Sequence, residues 1–126
     1  MKFGFLSTFD NQLLPGFINA ATREGIKNIH IIIDSKKTSK KDIEIFKMRT
    51  NGAFGSYSSI NQLLFNLSGS SIPFYLVDNH ISNHAQELYD NLNLDCLLNA
   101  GTPRKISNKI LKIIEKGVIN IHPGIL

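Results

Sequence analysis

The chain has 126 residues, enough for one compact domain, and its composition is that of a folded protein: 42% hydrophobic, 19% charged, 9% aromatic. No apolar run approaches the roughly 20 residues of a membrane helix, and the N-terminus Met1–Phe5 lacks the pattern of a secretory leader. A single cysteine, Cys96, excludes an intrachain disulfide framework and a cysteine-rich zinc site, so the expected setting is intracellular, cytoplasmic and reducing. The net charge of +4 permits attraction to phosphate without requiring it. Six of the 14 basic residues, Lys36, Lys37, Lys40, Lys41, Lys47 and Arg49, fall in one stretch that reads first as a solvated face.

Lys2–Ser7 is a short apolar segment with the character of a buried strand. Asp10 and Asn11 are capping residues for a helix in which Leu13, Leu14, Phe17, Ile18 and Ala21 recur at helical spacing. Pro15 sits in its first turn, where a missing N–H is harmless, and Gly25 ends it. Asn28–Asp34 holds four isoleucines in five residues and predicts a strand covered on both faces. A weak helix is expected over Asp42–Met48, with Ile43, Phe46 and Ile45 inward, then a glycine-bearing loop over Asn51–Tyr57. Ser59 and Gln62 form a capping box for a helix with Leu63, Leu64 and Leu67 inward, and Ser68–Ser71 is a connection.

Ile72–Val77 predicts a third strand. A helix capped near Ser82 or Asn83 follows, carrying Ala85, Leu88, Tyr89 and Leu92, and Leu94–Leu98 is the fourth strand. Thr102-Pro103 is a start signal for a helix whose Ile106, Ile110, Ile113 and Ile114 form one face and whose Lys105, Lys109, Lys112 and Lys116 form the other. Gly117 stops it before a fifth strand, Val118–Ile121. Strand and helix alternate throughout, which predicts one α/β domain over residues 1–126: a mostly parallel, doubly wound sheet with helices on both faces, three layers in all.

Ligands in such sheets bind beyond the carboxyl ends of the strands. Those ends carry Ser7–Asp10, Asp34-Ser35, Asp78–His80, Asn99–Thr102 and Asn120–Gly124. A dinucleotide fingerprint after the first strand and a Gly-Lys-Ser/Thr phosphate loop are both missing. His80 and His84 read as surface histidines near a helix start rather than a metal pair, so no metal is expected. His30 reads as a packed or edge histidine and Cys96 as a buried thiol. In the last strand, alternation puts Asn120 and His122 on one side, and Pro123-Gly124 turns the chain just beyond them. An imidazole can take a proton from an attacking amine while a carboxamide N–H steadies the oxyanion on the attacked carbonyl.

The run Val118–Leu126 resembles the signature of the folate-dependent formyltransferases, Asn-x-His-Pro-x-x-Leu-Pro after a buried strand. Leu97–Gly101, the helix with Ile106, Ile110 and Leu111, and Gly117–Ile119 are similar to the segment leading into that motif, so the likeness covers roughly Leu94–Leu126. The resemblance implies a Rossmann-like formyl transferase domain and transfer of a formyl group from 10-formyltetrahydrofolate to a primary amine. It assigns catalysis to Asn120 and His122, with the imidazole as base and the carboxamide on the oxyanion. Folate contacts fall by the same resemblance to Leu98, Asn99, Ala100, Gly101, Thr102 and Arg104, with Ile119 as a second apolar wall.

The family's third catalytic group is an aspartate some tens of residues after the histidine. No residue stands at that position here, which implies the N-terminal part of a longer domain that is inactive in isolation. Among acceptors, a small amine such as an amino sugar on a nucleotide is expected first. The runs typical of methionyl-tRNA formylation and of glycinamide ribonucleotide binding do not occur after the first two strands. A tRNA acceptor, which the lysine stretch could meet, and a non-catalytic binding module of the same fold are the alternatives; no membrane partner is expected.

Overall fold

The structure is a computed structural model that describes residues 1–8, 11, 14–35, 39–49, 71–101 and 105–121. The Asn51–Tyr57 loop, the helix opened by Ser59, the Ser68–Ser70 part of the connection, the Thr102-Pro103 start signal and His122 lie outside these residues.

Five strands are described: β1 (Lys2–Thr8), β2 (Asn28–Asp34), β3 (Phe74–Val77), β4 (Cys96–Asn99) and β5 (Val118–Asn120). The described helices are α1 (Leu14–Arg23), α2 (Lys40–Arg49), α3 (Asn83–Leu92) and α4 (Asn108–Ile113). The strands form one sheet in the order β3-β2-β1-β4-β5, and every pairing is parallel. This is the Rossmann-like α/β architecture that the alternation of elements predicts.

The side-chain alternation of β1 and β2 feeds two cores. Leu6 and Ile32 join Leu97, Val77 and the inward faces of α3 (Ala85, Tyr89, Leu92) and α4 (Ile110), together with Ile114. On the opposite face Phe5, Ile29, Ile31 and Ile33 pack with Leu14 and Ala21 of α1, backed by Phe17 and Ile18. The isoleucine run of β2 thus serves both layers, and Ile31, Ile32 and Ile33 are all fully buried. Gly4 keeps β1 close to its cover: a Cβ there would lie 2.5 Å from Leu94 Cδ1 and 2.9 Å from Leu97 Cδ1.

Several boundaries differ from the sequence reading. The third strand starts at Phe74 rather than Ile72, because Pro73 has no N–H for the ladder, although its carbonyl still accepts from Ile31 N–H at 3.0 Å. The fourth starts two residues later and ends one later, at Cys96–Asn99, since Asp95 is spent at the sheet's lower rim, where its carboxylate accepts from the Lys2 N–H at 2.6 Å. The last helix starts late: Ser107 is its cap, with Oγ accepting from Ile110 N–H at 3.4 Å, so Ile106 precedes the helix yet still packs on the core. Ser82 caps α3, accepting from Ala85 N–H at 3.1 Å.

His80 overturns the expectation of a surface residue. It is fully buried in the loop between β3 and α3, while His84 is exposed. Asp34, the last residue of β2 and also fully buried, accepts from the His80 backbone N–H at 3.1 Å, and one of its oxygens lies 2.7 Å from Nδ1 of the same residue. The loop is held to β2 again where Ser35 Oγ donates to the Asp78 carbonyl at 3.1 Å.

Near this pair, the Tyr89 hydroxyl is buried with no hydrogen-bond partner among the described residues. Burial, and then the Asp34 charge, push its ionisation well above the usual phenol range. A buried hydroxyl that gains no bond carries its desolvation cost uncompensated. Tyr89→Phe is therefore expected to be neutral or to stabilise by up to about 1 kcal/mol in urea unfolding; a loss above about 1 kcal/mol would show that the hydroxyl is bonded.

Candidate functional site

The chain leaves β1 toward α1 on one face and leaves β4 toward α4 on the other, so the crevice of the sheet opens between the ends of β1 and β4. Its floor is buried: Ser7 and Thr8 at the end of β1, Asn99 and Ala100 at the end of β4. Ser7 Oγ donates to the Ala100 carbonyl at 2.9 Å, and the Asn11 amide donates to Ser7 Oγ at 2.8 Å and to the same carbonyl. Asn11 reads locally as a helix cap, but its side chain turns back and ties β1 to β4 across 89 residues of sequence.

Gly101 follows with φ +97°, a conformation that suits glycine. The space a side chain would take is used by Asn11, whose Nδ2 lies 2.8 Å from an ideal Cβ on Gly101. Gly101→Ala is expected to cost about 1–3 kcal/mol, from backbone strain together with displacement of Asn11. Removing the amide as well, in Asn11→Ala/Gly101→Ala, relieves the crowding and leaves the strain. Equal stability of Gly101→Ala and wild type in urea melts would refute this account.

One strand over, Leu97, Leu98 and Asn99 of β4 stand opposite Val118, Ile119 and Asn120 of β5. The Asn99–Asn120 pair is joined by a side-chain bond, Asn99 Nδ2 donating to Asn120 Oδ1 at 2.8 Å. Asn99 is 7% exposed, whereas Asn120 is open to solvent at the rim. Ile121 N–H donates to the Asn99 carbonyl at 3.0 Å, which carries the β4–β5 pairing one residue past Asn120.

The expected folate residues are distributed as follows. Leu98 is half-buried against the α1-side core, Asn99 is paired with Asn120, Ala100 is buried, and Gly101 is exposed at the rim. Thr102 and Arg104 lie outside the described residues, as does His122. Ile119 is 54% exposed. Sequence reasoning named Ser7 only as a strand-end residue and Asn11 only as a helix cap; it missed the bonds that tie both to the Ala100 carbonyl and the coupling of Asn99 to Asn120.

Other reactive groups are inert by position. Cys96 is a buried free thiol whose pKa is raised by burial and then by Asp95. His30, half-buried, has its pKa lowered by burial and by Lys2; as a neutral ring it can donate from Nε2 to Asn28 Oδ1 at 3.0 Å and accept the Tyr75 hydroxyl on Nδ1 at 3.3 Å. No group of three His, Cys, Asp or Glu among the described residues could hold a metal ion, and no described helix is long and apolar enough to cross a membrane.

A parallel five-stranded sheet flanked by helices, with a polar crevice at its central strand ends, places the chain in the Rossmann-like class of α/β proteins. The fold is similar to the crystal structure of glycinamide ribonucleotide transformylase 1 from Symbiobacterium toebii, with a TM-score of 0.63 and 16% sequence identity. The match covers 100% of this chain and 53% of that one, so the chain spans about half the length of that protein. No protein-family model matches the sequence, and no curated protein matches it either.

Proposed function

We propose that this domain transfers a formyl group from 10-formyltetrahydrofolate to a primary amine, and that a small amine such as an amino sugar on a nucleotide is the acceptor. The observation that carries the reading is Asn120: a carboxamide at the carboxyl end of β5, exposed at the rim, with its oxygen engaged by Asn99 and its amino group left to donate. His122 stands two residues on in sequence, within the Asn-x-His-Pro run. The fold likeness to a transformylase supports the same reaction class.

The chemistry is an acyl transfer. The amine nitrogen attacks the formyl carbon, and the carbonyl oxygen takes up negative charge as the tetrahedral intermediate forms. The Asn120 N–H₂ donates to that oxygen, and His122 accepts the proton that the amine must lose. Collapse breaks the bond to the folate nitrogen, which leaves with a proton, giving tetrahydrofolate and the formamide. Folate meets this site along the strand-end segment 98–104, with Leu98 as an apolar wall and the backbone at Gly101, exposed at the rim, as the point of close approach.

The test is formylation by the whole natural polypeptide that bears this sequence, with 10-formyltetrahydrofolate and two arms of acceptor: a panel of amino-sugar nucleotides and charged initiator tRNA. Tetrahydrofolate release with the sugars is the expected result. Release with the tRNA alone, suppressed by salt, would instead favour the exposed Lys40, Lys41 and Lys47 of α2 as a phosphate-facing surface. Folate binding by calorimetry without turnover in either arm would leave a binding module. No binding and no turnover would refute the proposal.

A further inference from the structure

We propose that Asn99 is a positioning residue: its side-chain amide fixes which end of the Asn120 carboxamide faces the reacting carbonyl. This deepens the formyl-transfer reading and rests on it. A carboxamide is nearly symmetric in shape and can turn over by half a rotation about its terminal bond. Turned one way, Asn120 offers N–H groups to an oxyanion; turned the other way, it offers an oxygen lone pair and repels that charge. At an exposed strand end nothing in the backbone chooses between the two.

Asn99 makes the choice. Parallel register places it directly beside Asn120, and its Nδ2 donates to Asn120 Oδ1 at 2.8 Å. With the oxygen engaged, the two amide hydrogens of Asn120 point away from Asn99. Asn99 is itself 7% exposed, in a strand paired on both sides, β1 on one and β5 on the other. The rigid partner therefore orients the exposed one, as a supporting group orients a catalytic one.

The inference separates two nearly isosteric side chains. In Asn99→Asp the carboxylate can only accept, so it draws the Asn120 amino group toward itself and turns the oxygen to the reacting side. Asn99→Leu carries no charge and leaves the Asn120 amide without a set orientation. Expected values of kcat fall by about 100-fold or more for Asn99→Asp and by about 10-fold for Asn99→Leu, with the KM for the amine little changed in both. Nuclear magnetic resonance supplies the second readout. The Asn120 side-chain amide protons exchange readily in the wild type and become slowed and shifted in Asn99→Asp, where they are bonded.

Asn120→Ala is the control. If it abolishes formylation while Asn99→Asp and Asn99→Leu keep wild-type kcat, the inference is overturned and the functional reading stands. If Asn120→Ala itself turns over normally, both fall. Unchanged Asn120 amide signals in Asn99→Asp also overturn the inference, whatever the activity. Should Asn99→Asp not fold, kcat and amide exchange in Asn99→Leu decide alone: a wild-type rate there overturns it.

Discussion

Asp34→Ala is expected to destabilise the fold by about 3–5 kcal/mol, which corresponds to a fall in melting temperature of roughly 10–20 °C. The substitution removes the acceptor of two bonds at once, one from the His80 backbone and one to its ring, and takes the carboxylate from beside a fully buried imidazole. Asp34→Asn keeps an acceptor oxygen and is expected to lose less, about 1–3 kcal/mol. In a double-mutant cycle with His80→Leu, much of the Asp34→Ala cost should disappear, because the two residues are in direct contact and the ring that bonds Asp34 is gone. Chemical unfolding of the four proteins measures this, and additive losses would show that the two residues do not act together. The damage should also spread to the loop between β3 and α3, which hydrogen exchange can follow at Asp78–Ser82.

Asn120→Asp is the second large effect, on rate rather than stability. The change is isosteric, at an exposed strand end, so the melting temperature should move little. On the proposed formyl transfer, it exchanges a donor for a negative charge at the point where the tetrahedral oxyanion would form. Loss of one such donor costs about 10²–10³ in kcat, and charge repulsion adds to that. The amine KM should hold, because the lost interaction is made only as charge develops. A variant that keeps more than about a tenth of the wild-type kcat would remove Asn120 from the oxyanion role.

Much of the architecture was legible from local pattern. The run Asn28–Asp34 gives β2 its observed limits, since four isoleucines between two turn-forming polar residues can satisfy only a strand covered on both faces. The spacing of Leu14, Phe17, Ile18 and Ala21 marks the buried side of α1, and Gly25, at φ +85°, ends it. Local pattern failed where a distant residue decides. His80 sits among Asn79, Ser82 and Asn83 and so looks exposed; its burial is set by Asp34, 46 residues earlier. Asn11 reads as a helix cap, and nothing near it in sequence shows that its amide nitrogen donates to a carbonyl 89 residues away. The Thr102-Pro103 signal pointed to a helix start, but Ser107 does the capping. At the candidate site, the sequence placed Asn99 and Asn120 at the carboxyl ends of two strands, which is where they stand. The bond that orients Asn120 was not legible, because register between β4 and β5 is a property of two segments and of neither alone.

The strand order also sets a timetable. Phe3 of β1 pairs with Cys96 of β4, so one side of the innermost strand waits for a partner made 93 residues later. At a ribosomal pace of roughly 5–20 residues per second, that interval is on the order of 5–20 s. Until then the nascent sheet, β3-β2-β1, ends in a hydrophobic border that includes Phe3 and Phe5, an open invitation to wrong pairing. The yield of soluble product should therefore depend on translation speed more than the stability of the finished fold suggests, which expression at varied translation rates can measure.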